Sequence, residues 1–240
     1  MNNLLQVGAV ALILGIGMLY SVRAGKLTVA GACTGGVLGV LIFLGAGFTG
    51  LAMLGLFFLL GSAASGWRVE EKRRAGLAEE NKGRRTASQA LANGGVAGIL
   101  GLLSWLFPAY ATVFQLMIAG SFASATADTM ASELGNVYGR RYYNILTLKP
   151  DTRGLNGVVS VEGTLLGLAG SVVIAVVYSL GFGWSSAFGW LLLAGTVGNL
   201  ADSVLGATLE RKHWLSNDAV NSLNTLVGAV VAAALWSLAR

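Results

Sequence analysis

The sequence is short of everything a water-facing surface is made from. Only 11% of its 240 residues are charged, against about 25% in an ordinary globular domain. That scarcity excludes a water-soluble globular protein of this size. Proline occurs twice, which excludes collagen-like and proline-rich chains. The single cysteine, Cys33, excludes an intramolecular disulfide and says little about compartment. The only histidine, His213, stands in a short polar segment with no H-E-x-x-H pattern, which argues against zinc hydrolysis and a catalytic histidine. No G-x-x-x-x-G-K-S/T loop occurs, so this is not a P-loop enzyme, and no G-x-S-x-G nucleophile elbow is present.

Apolar residues and glycine are abundant instead. Hydrophobic residues make up 55% of the chain and 35 residues are glycine, the latter about twice the roughly 7% average. Mean hydropathy is +0.69. Such hydrophobicity excludes disorder and predicts an all-α, polytopic membrane bundle in one domain covering 1–240. The net charge of +5 therefore reports loop placement, not a nucleic-acid partner.

A transmembrane helix needs roughly 17–25 mostly apolar residues. Eight segments qualify: 3–21, 27–44, 48–66, 89–107, 109–135, 158–180, 186–206 and 217–238. The N-terminus lacks a basic n-region and an A-x-A site, so 3–21 is expected to be a retained span, not a signal peptide. Every lysine and arginine except Arg240 falls in the alternate connections 22–26, 67–88, 136–157 and 207–216. The positive-inside rule puts those connections in the cytoplasm and both termini outside, in a bacterial or organellar inner membrane. Glycines recur every four residues: Gly31, Gly35 and Gly39 on the second span, Gly94 and Gly98 on the fourth, Gly163 and Gly167 on the sixth. Small residues at this spacing let helix backbones approach closely.

The acids and amides gather at one depth. Asp128 and Glu133 lie near the end of the fifth span and Asp202 near the end of the seventh. Gln89 and Asn93 open the fourth span. Asn156, Ser160, Glu162 and Thr164 open the sixth, and Asn217, Asp218, Asn221 and Asn224 open the eighth. With alternating spans, all of these ends are cytoplasmic. A carboxylate at a helix centre costs about 2.5–3.5 kcal/mol on insertion scales, less near the interface, and so faces the interior, paired or binding a cation.

Two basic, glycine-containing loops, 79–93 and 147–160, run straight into helix N-termini. Helix N-termini favour anions through free N–H groups and the positive dipole end. Lys82, Arg84, Arg85, Lys149 and Arg153 would add charge-assisted bonds to phosphate oxygens. Basic clamps beside carboxylates suit a Mg²⁺–polyphosphate complex. Arg68, Lys72, Arg73 and Arg74 stand in a charge-mixed stretch and read as topology signals. An internal echo links Ala127-Asp128-Thr129 to Ala201-Asp202-Ser203, as if two halves donated matching ligands to one site.

These stretches resemble the integral-membrane family known as domain of unknown function 92, which includes transmembrane protein 19 and the plant phytyl-phosphate kinases. The matching residues are Gly83-Arg84-Arg85 with Gln89 and Asn93-Gly94; Asp128-Thr129 with Ser132-Glu133 and Gly135; Gly154 with Asn156-Gly157, Ser160 and Gly163-Thr164; Asp202-Ser203 with Gly206-Ala207; and Asn217-Asp218 with Val220-Asn221. The resemblance implies a membrane-embedded kinase that uses a nucleotide, CTP by preference, to convert an isoprenoid monophosphate such as phytyl phosphate to its diphosphate. In that reading Asp128, Glu133, Asp202 and Asp218 hold Mg²⁺ and are the catalytic set. Lys82, Arg84, Arg85, Lys149 and Arg153 bind phosphate with Gln89, Gly157 and Ser160, while Asn93, Asn156, Asn217 and Asn221 orient nucleotide or metal-bound water. The isoprenoid tail would lie between glycine-faced helices. The alternative is an ion- or proton-coupled transporter using the same acids, although transporter sites typically sit near the bilayer midplane.

Overall fold

A backbone in lipid has no water to bond to and must satisfy its own N–H and C=O groups, so apolar runs become helices. The computed structural model describes residues 3–77 and 83–239. Its helices are α1 (Asn3–Arg23), α2 (Val29–Gly66), α3 (Val69–Arg74), α4 (Ala87–Leu106), α5 (Ala111–Tyr138), α6 (Val161–Phe182), α7 (Ala187–Leu205) and α8 (Asn217–Leu238). A small antiparallel ribbon pairs β1 (Tyr143–Asn144) with β2 (Val158–Val159). The chain is a polytopic helical membrane protein.

Among the described residues, six helices are long and apolar enough to cross a bilayer. Eight crossings follow once two helices are considered physically. The first is α2, whose 38 residues would reach about 57 Å if straight, nearly twice the roughly 30 Å hydrocarbon core. Helical geometry breaks at Gly47, with φ 58° and ψ −151°, a left-handed conformation that favours glycine. Beyond it the chain folds back. A Cβ on Gly50 would stand 3.2 Å from the Ile42 carbonyl oxygen, although eight residues of straight helix span about 12 Å. The Phe43 and Phe48 rings meet edge-on at 5.1 Å. The Gly45 carbonyl at this break accepts from Ser104 Oγ and Gln115 Nε2, both at 2.9 Å. The expected spans 27–44 and 48–66 are therefore the two arms of a helical hairpin.

The second is α5, 28 residues long but interrupted by too many polar residues to stand among those six. Its stretch Ala119–Ala127, small residues apart from Phe122, is buried throughout, and α5 packs against α2, α4, α6, α7 and α8. A helix ringed by other helices meets little lipid and need not be uniformly apolar.

Glycine sets the closest approaches. Cβ atoms added to Gly120 and Gly228 would each lie 2.5 Å from the other's carbonyl oxygen, across the α5–α8 contact. Across α2 and α4 a Cβ on Gly45 would strike the Gly101 carbonyl oxygen and one on Gly101 the Leu41 carbonyl oxygen. Across α5 and α6 a Cβ on Gly135 would lie 2.9 Å from the Gly163 Cα and one on Gly163 2.9 Å from the Ala131 carbonyl oxygen. Among the expected packing glycines, Gly31, Gly39, Gly94, Gly98, Gly163 and Gly167 press on neighbours, whereas a Cβ on Gly35 would meet nothing within 4 Å.

Candidate functional site

The packing leaves a cavity of about 360 Å³ at one end of the bundle, where α5 and α7 finish and α4, α6 and α8 begin. Its walls carry Gln89 and Asn93 from α4, Asp128, Thr129, Ser132 and Glu133 from α5, and Asn199, Asp202 and Ser203 from α7. Asn217 and Asn221 come from α8, and the 139–160 segment adds Tyr142, Asn156, Gly157 and Ser160. Among the described residues the basic connections lie at this same end.

Asp128 stands ten residues before the end of α5, about 15 Å along the axis. Its carboxyl group faces that of Asp202 within hydrogen-bonding reach, so the two echoed tripeptides meet. Among the described residues neither carboxylate has an ion-pair partner. Asp202 Oδ2 accepts from Asn224 Nδ2 at 3.2 Å, and Asn224 is locked in turn by a short bond from Ser124 Oγ. Glu133 is at the rim but is already paired. Lys72 on α3 is 1% exposed, ion-pairs Glu133, and donates to the Ala64 and Ser65 carbonyls at 3.0 and 2.8 Å. Lys72 is thus a buried clasp between α2, α3 and α5, not the solvated topology charge its surroundings suggest.

Glu210 is an acid that sequence reasoning missed. After Leu205 the chain widens into a π-helical turn, Gly206–Glu210, a feature that often marks functional sites. The turn brings Glu210 to the cavity, where Asn156 and Asn217 bond to it. A loop assignment for 207–216 gave no reason to expect this.

Helix caps explain several polar residues. Thr86 caps α4 in a reciprocal box, with Thr86 N donating to Gln89 Oε1 at 2.9 Å. Gln89 lines the cavity with that oxygen engaged. Ser160 caps α6 by accepting from Gly163 N at 3.0 Å, and Ser216 caps α8 by accepting from Ala219 N at 3.3 Å. Each helix start keeps its dipole and remaining N–H groups directed at the cavity end.

The 139–160 segment folds over the site. Gly157 has φ +74°, and a Cβ there would lie 2.5 Å from the Ser203 carbonyl oxygen, so glycine alone lets the loop sit down on α7. Arg211 Nη2 donates to Asp151 Oδ2 at 2.9 Å and its Nε to the Asn156 carbonyl. The Thr152 N–H, the Asn144 amide and the Arg211 guanidinium hold the Asp151 carboxyl below its usual range. Burial pushes the Tyr142 hydroxyl up, against the opposing charge of Arg153. Arg153 Nε and Nη2 are buried with no hydrogen-bond partner among the described residues, and Tyr142 and Gly154 beside it line the cavity.

Not every expected site residue arrives. Asp218 lies off the cavity lining and accepts from Ser88 Oγ at 2.5 Å, tying α8 to α4. Asn217 and Asn221, four apart, share the cavity face, and Asp218, one residue on from Asn217, is turned about 100° away from it. Arg84 and Lys149 are exposed and off the lining. Glu162 turns outward to the Arg140 N–H, 3.4 Å away. Lys82 lies outside the described residues. Arg85 does line the cavity. Among the described residues no group of three or more His, Cys, Asp and Glu side chains is arranged to hold a metal ion directly, so the four-carboxylate metal set expected from sequence is not assembled.

The integral membrane family DUF92 matches residues 11–229. The chain belongs to this DUF92 family of integral membrane proteins. It is 37% identical over 213 residues to an uncharacterized membrane protein of Synechocystis, covering 85% of this chain and 80% of that one. It is 33% identical over 227 residues to the chloroplastic protein VTE6 of Arabidopsis thaliana, covering 90% of this chain and 68% of the plant protein. An uncharacterized membrane protein of Methanocaldococcus jannaschii is 29% identical over 236 residues, covering 98% and 97%. No solved structure matches the chain.

Proposed function

We propose that this DUF92 protein is a phosphotransferase of the membrane interface, converting an isoprenoid monophosphate to its diphosphate with a nucleoside triphosphate, CTP by preference, as donor. The observation that carries the reading is one polar cavity that holds two carboxylates with no ion-pair partner among the described residues, Asp128 and Asp202, and is lined by Arg85 as well. Arg153, whose Nε and Nη2 have no hydrogen-bond partner among the described residues, is off the lining but precedes the lining residue Gly154 and acts on the lining residue Tyr142. A carboxylate pair without a cation calls for a divalent ion, and buried guanidinium N–H groups call for an anion. The family resemblance to phytyl-phosphate kinases and the similarity to VTE6 point to the same chemistry.

Mg²⁺ fits this donor set, because it commonly takes one or two carboxylates and completes its shell with water and substrate phosphates. Asp128 and Asp202 would hold it, and when bound it neutralises charge on the transferred phosphoryl group. Arg153 and Arg85 bind phosphate oxygens of donor and acceptor. Asn156, Asn217 and Asn221 orient the polar head groups, and Asn224 keeps Asp202 aimed into the cavity. An oxygen of the acceptor phosphate attacks the terminal phosphorus of the donor, the bond to the bridging oxygen breaks, and the nucleoside diphosphate leaves. The acceptor is already an anion, so no strong base is required, and the residues act by positioning and electrostatics.

The test is incubation of purified protein with Mg²⁺, a panel of labelled nucleoside triphosphates and a panel of prenyl monophosphates. Labelled prenyl diphosphate is the expected product. Substrate flux in proteoliposomes without nucleotide consumption would overturn the reading in favour of a transporter.

A further inference from the structure

A second cavity, about 290 Å³ and almost wholly apolar, runs between α1, the two arms of α2, and α4. It is continuous in its lining with the polar site, because Arg85, Gln89 and Asn93 border both. From Ile13 to Ser21 on its α1 wall it extends about 12 Å along the bundle. We propose that this groove seats the hydrocarbon tail of the acceptor, with Arg85 at the junction receiving its phosphate, and that Gly35 and Gly55 set the groove's width.

Arg85 is held where such a role needs it. Its backbone N–H donates to the Lys26 carbonyl and its carbonyl accepts from Thr28 N–H, both at 3.0 Å. Its guanidinium lies 5.4 Å from the centre of the Phe57 ring and against Gly61, where a Cβ would strike Nη2. A cation at the end of an apolar groove matches a molecule with an anionic head and a hydrocarbon tail. A transmembrane helix from a partner would instead bring an apolar face against Arg85. Lipid tails are as apolar as leucine, so the groove gains little from burying a tail taken from the bilayer. It discriminates by shape, and the phosphate contact supplies the affinity. Gly35 and Gly55 fit that role: both line the groove, and a Cβ on either meets nothing within 4 Å. They hold open space rather than a helix contact, unlike Gly31 on the same wall, whose Cβ would strike the Arg85 carbonyl oxygen at 2.7 Å.

The inference rests on the kinase reading and deepens it to tail selection. The experiment compares the full chain with Gly35→Leu and Gly55→Leu, in nanodiscs with Mg²⁺ and CTP, on twenty-carbon and five-carbon prenyl monophosphates. Leucine improves helix propensity over glycine, and its Cβ at either position meets no protein atom within 4 Å; a thermal melt of each variant checks that the fold persists. A single methylene in an apolar pocket changes discrimination by about 10–200-fold. Each variant is therefore expected to lose at least about ten-fold in kcat/KM for the long substrate relative to the short one. Equal loss on both substrates, or no loss on either, overturns the groove assignment. A separate binding readout uses a twenty-carbon prenyl monophosphate carrying a diazirine at the tail. Labelling of α1 and α2 residues in the groove, reduced in the leucine variants, supports the proposal, and labelling spread over the lipid-facing surface overturns it. If the wild-type chain turns over no prenyl monophosphate, the kinase reading fails, and the labelling still decides the groove.

Discussion

Replacing Lys72 with methionine tests the clasp between α3 and the core. The substitution keeps a flexible apolar stem of similar reach and removes the ammonium. Lys72 is 1% exposed and Glu133 12% exposed, so solvent cannot replace the lost charge. Breaking a buried pair by removing one partner is destabilising by about 3–5 kcal/mol. The Ala64 and Ser65 carbonyls at the end of α2 also lose their donor; each unsatisfied acceptor costs about 1–3 kcal/mol. These contributions overlap, because one ammonium serves all three oxygens, so about 3–5 kcal/mol is the expected total. At roughly 2–4 °C per kcal/mol for a chain of this size, Tm falls by about 6–20 °C. Thermal unfolding in detergent, followed by tryptophan fluorescence, measures it. Adding Glu133→Gln to Lys72→Met should recover at least about 1 kcal/mol, since partners in contact couple by about 0.5–3 kcal/mol. A loss below about 1 kcal/mol, or strictly additive effects, would refute the buried-clasp reasoning.

Further outcomes concern the cavity and its supports. Asp128→Asn should lower phosphoryl transfer by at least about 10²-fold, the scale of losing one preorganised electrostatic contact, with Tm unchanged within a few degrees; full turnover with Mg²⁺ present counts against the metal assignment. Gly228→Leu forces a side chain against the Gly120 carbonyl and should destabilise by about 1–3 kcal/mol or more, read in the same melt. The Asp151 carboxyl is held below its usual range by Thr152 N–H, Asn144 and Arg211. Its contribution to loop order is thus complete above the ordinary carboxylate pKa of about 3.9 and is lost as pH falls through the lower folded value. Limited proteolysis of 139–160 should be constant from neutral pH to about pH 5 and accelerate only below about pH 4; acceleration near pH 6 would contradict this.

The apolar runs and alternating basic connections made the helical membrane architecture legible in the sequence, down to the break at 45–47 that proves to be a hairpin turn at Gly47. The meeting of Asp128 and Asp202 was foreshadowed by the repeated tripeptide. Side-chain direction was not legible in the same way. Asp218 and Asn217 are adjacent in sequence, yet helical rotation sends one to Ser88 and the other to the cavity. Lys72 reads as a solvated charge because nothing local reveals that α3 folds onto α5. Glu210 depends on a π-helical turn, which leaves no hydropathy signature, and the capping of α4 by Gln89 competes with any role toward phosphate.

Two carboxylates from α5 and α7 acting as one site for a metal–polyphosphate complex is the central claim. Mn²⁺ in place of Mg²⁺, followed by electron paramagnetic resonance with and without CTP, tests it on the intact protein. The account predicts a nucleotide-enhanced bound Mn²⁺ signal in the wild type that disappears in the Asp128→Asn/Asp202→Asn double variant while the fold persists. An unchanged signal in that variant would contradict it.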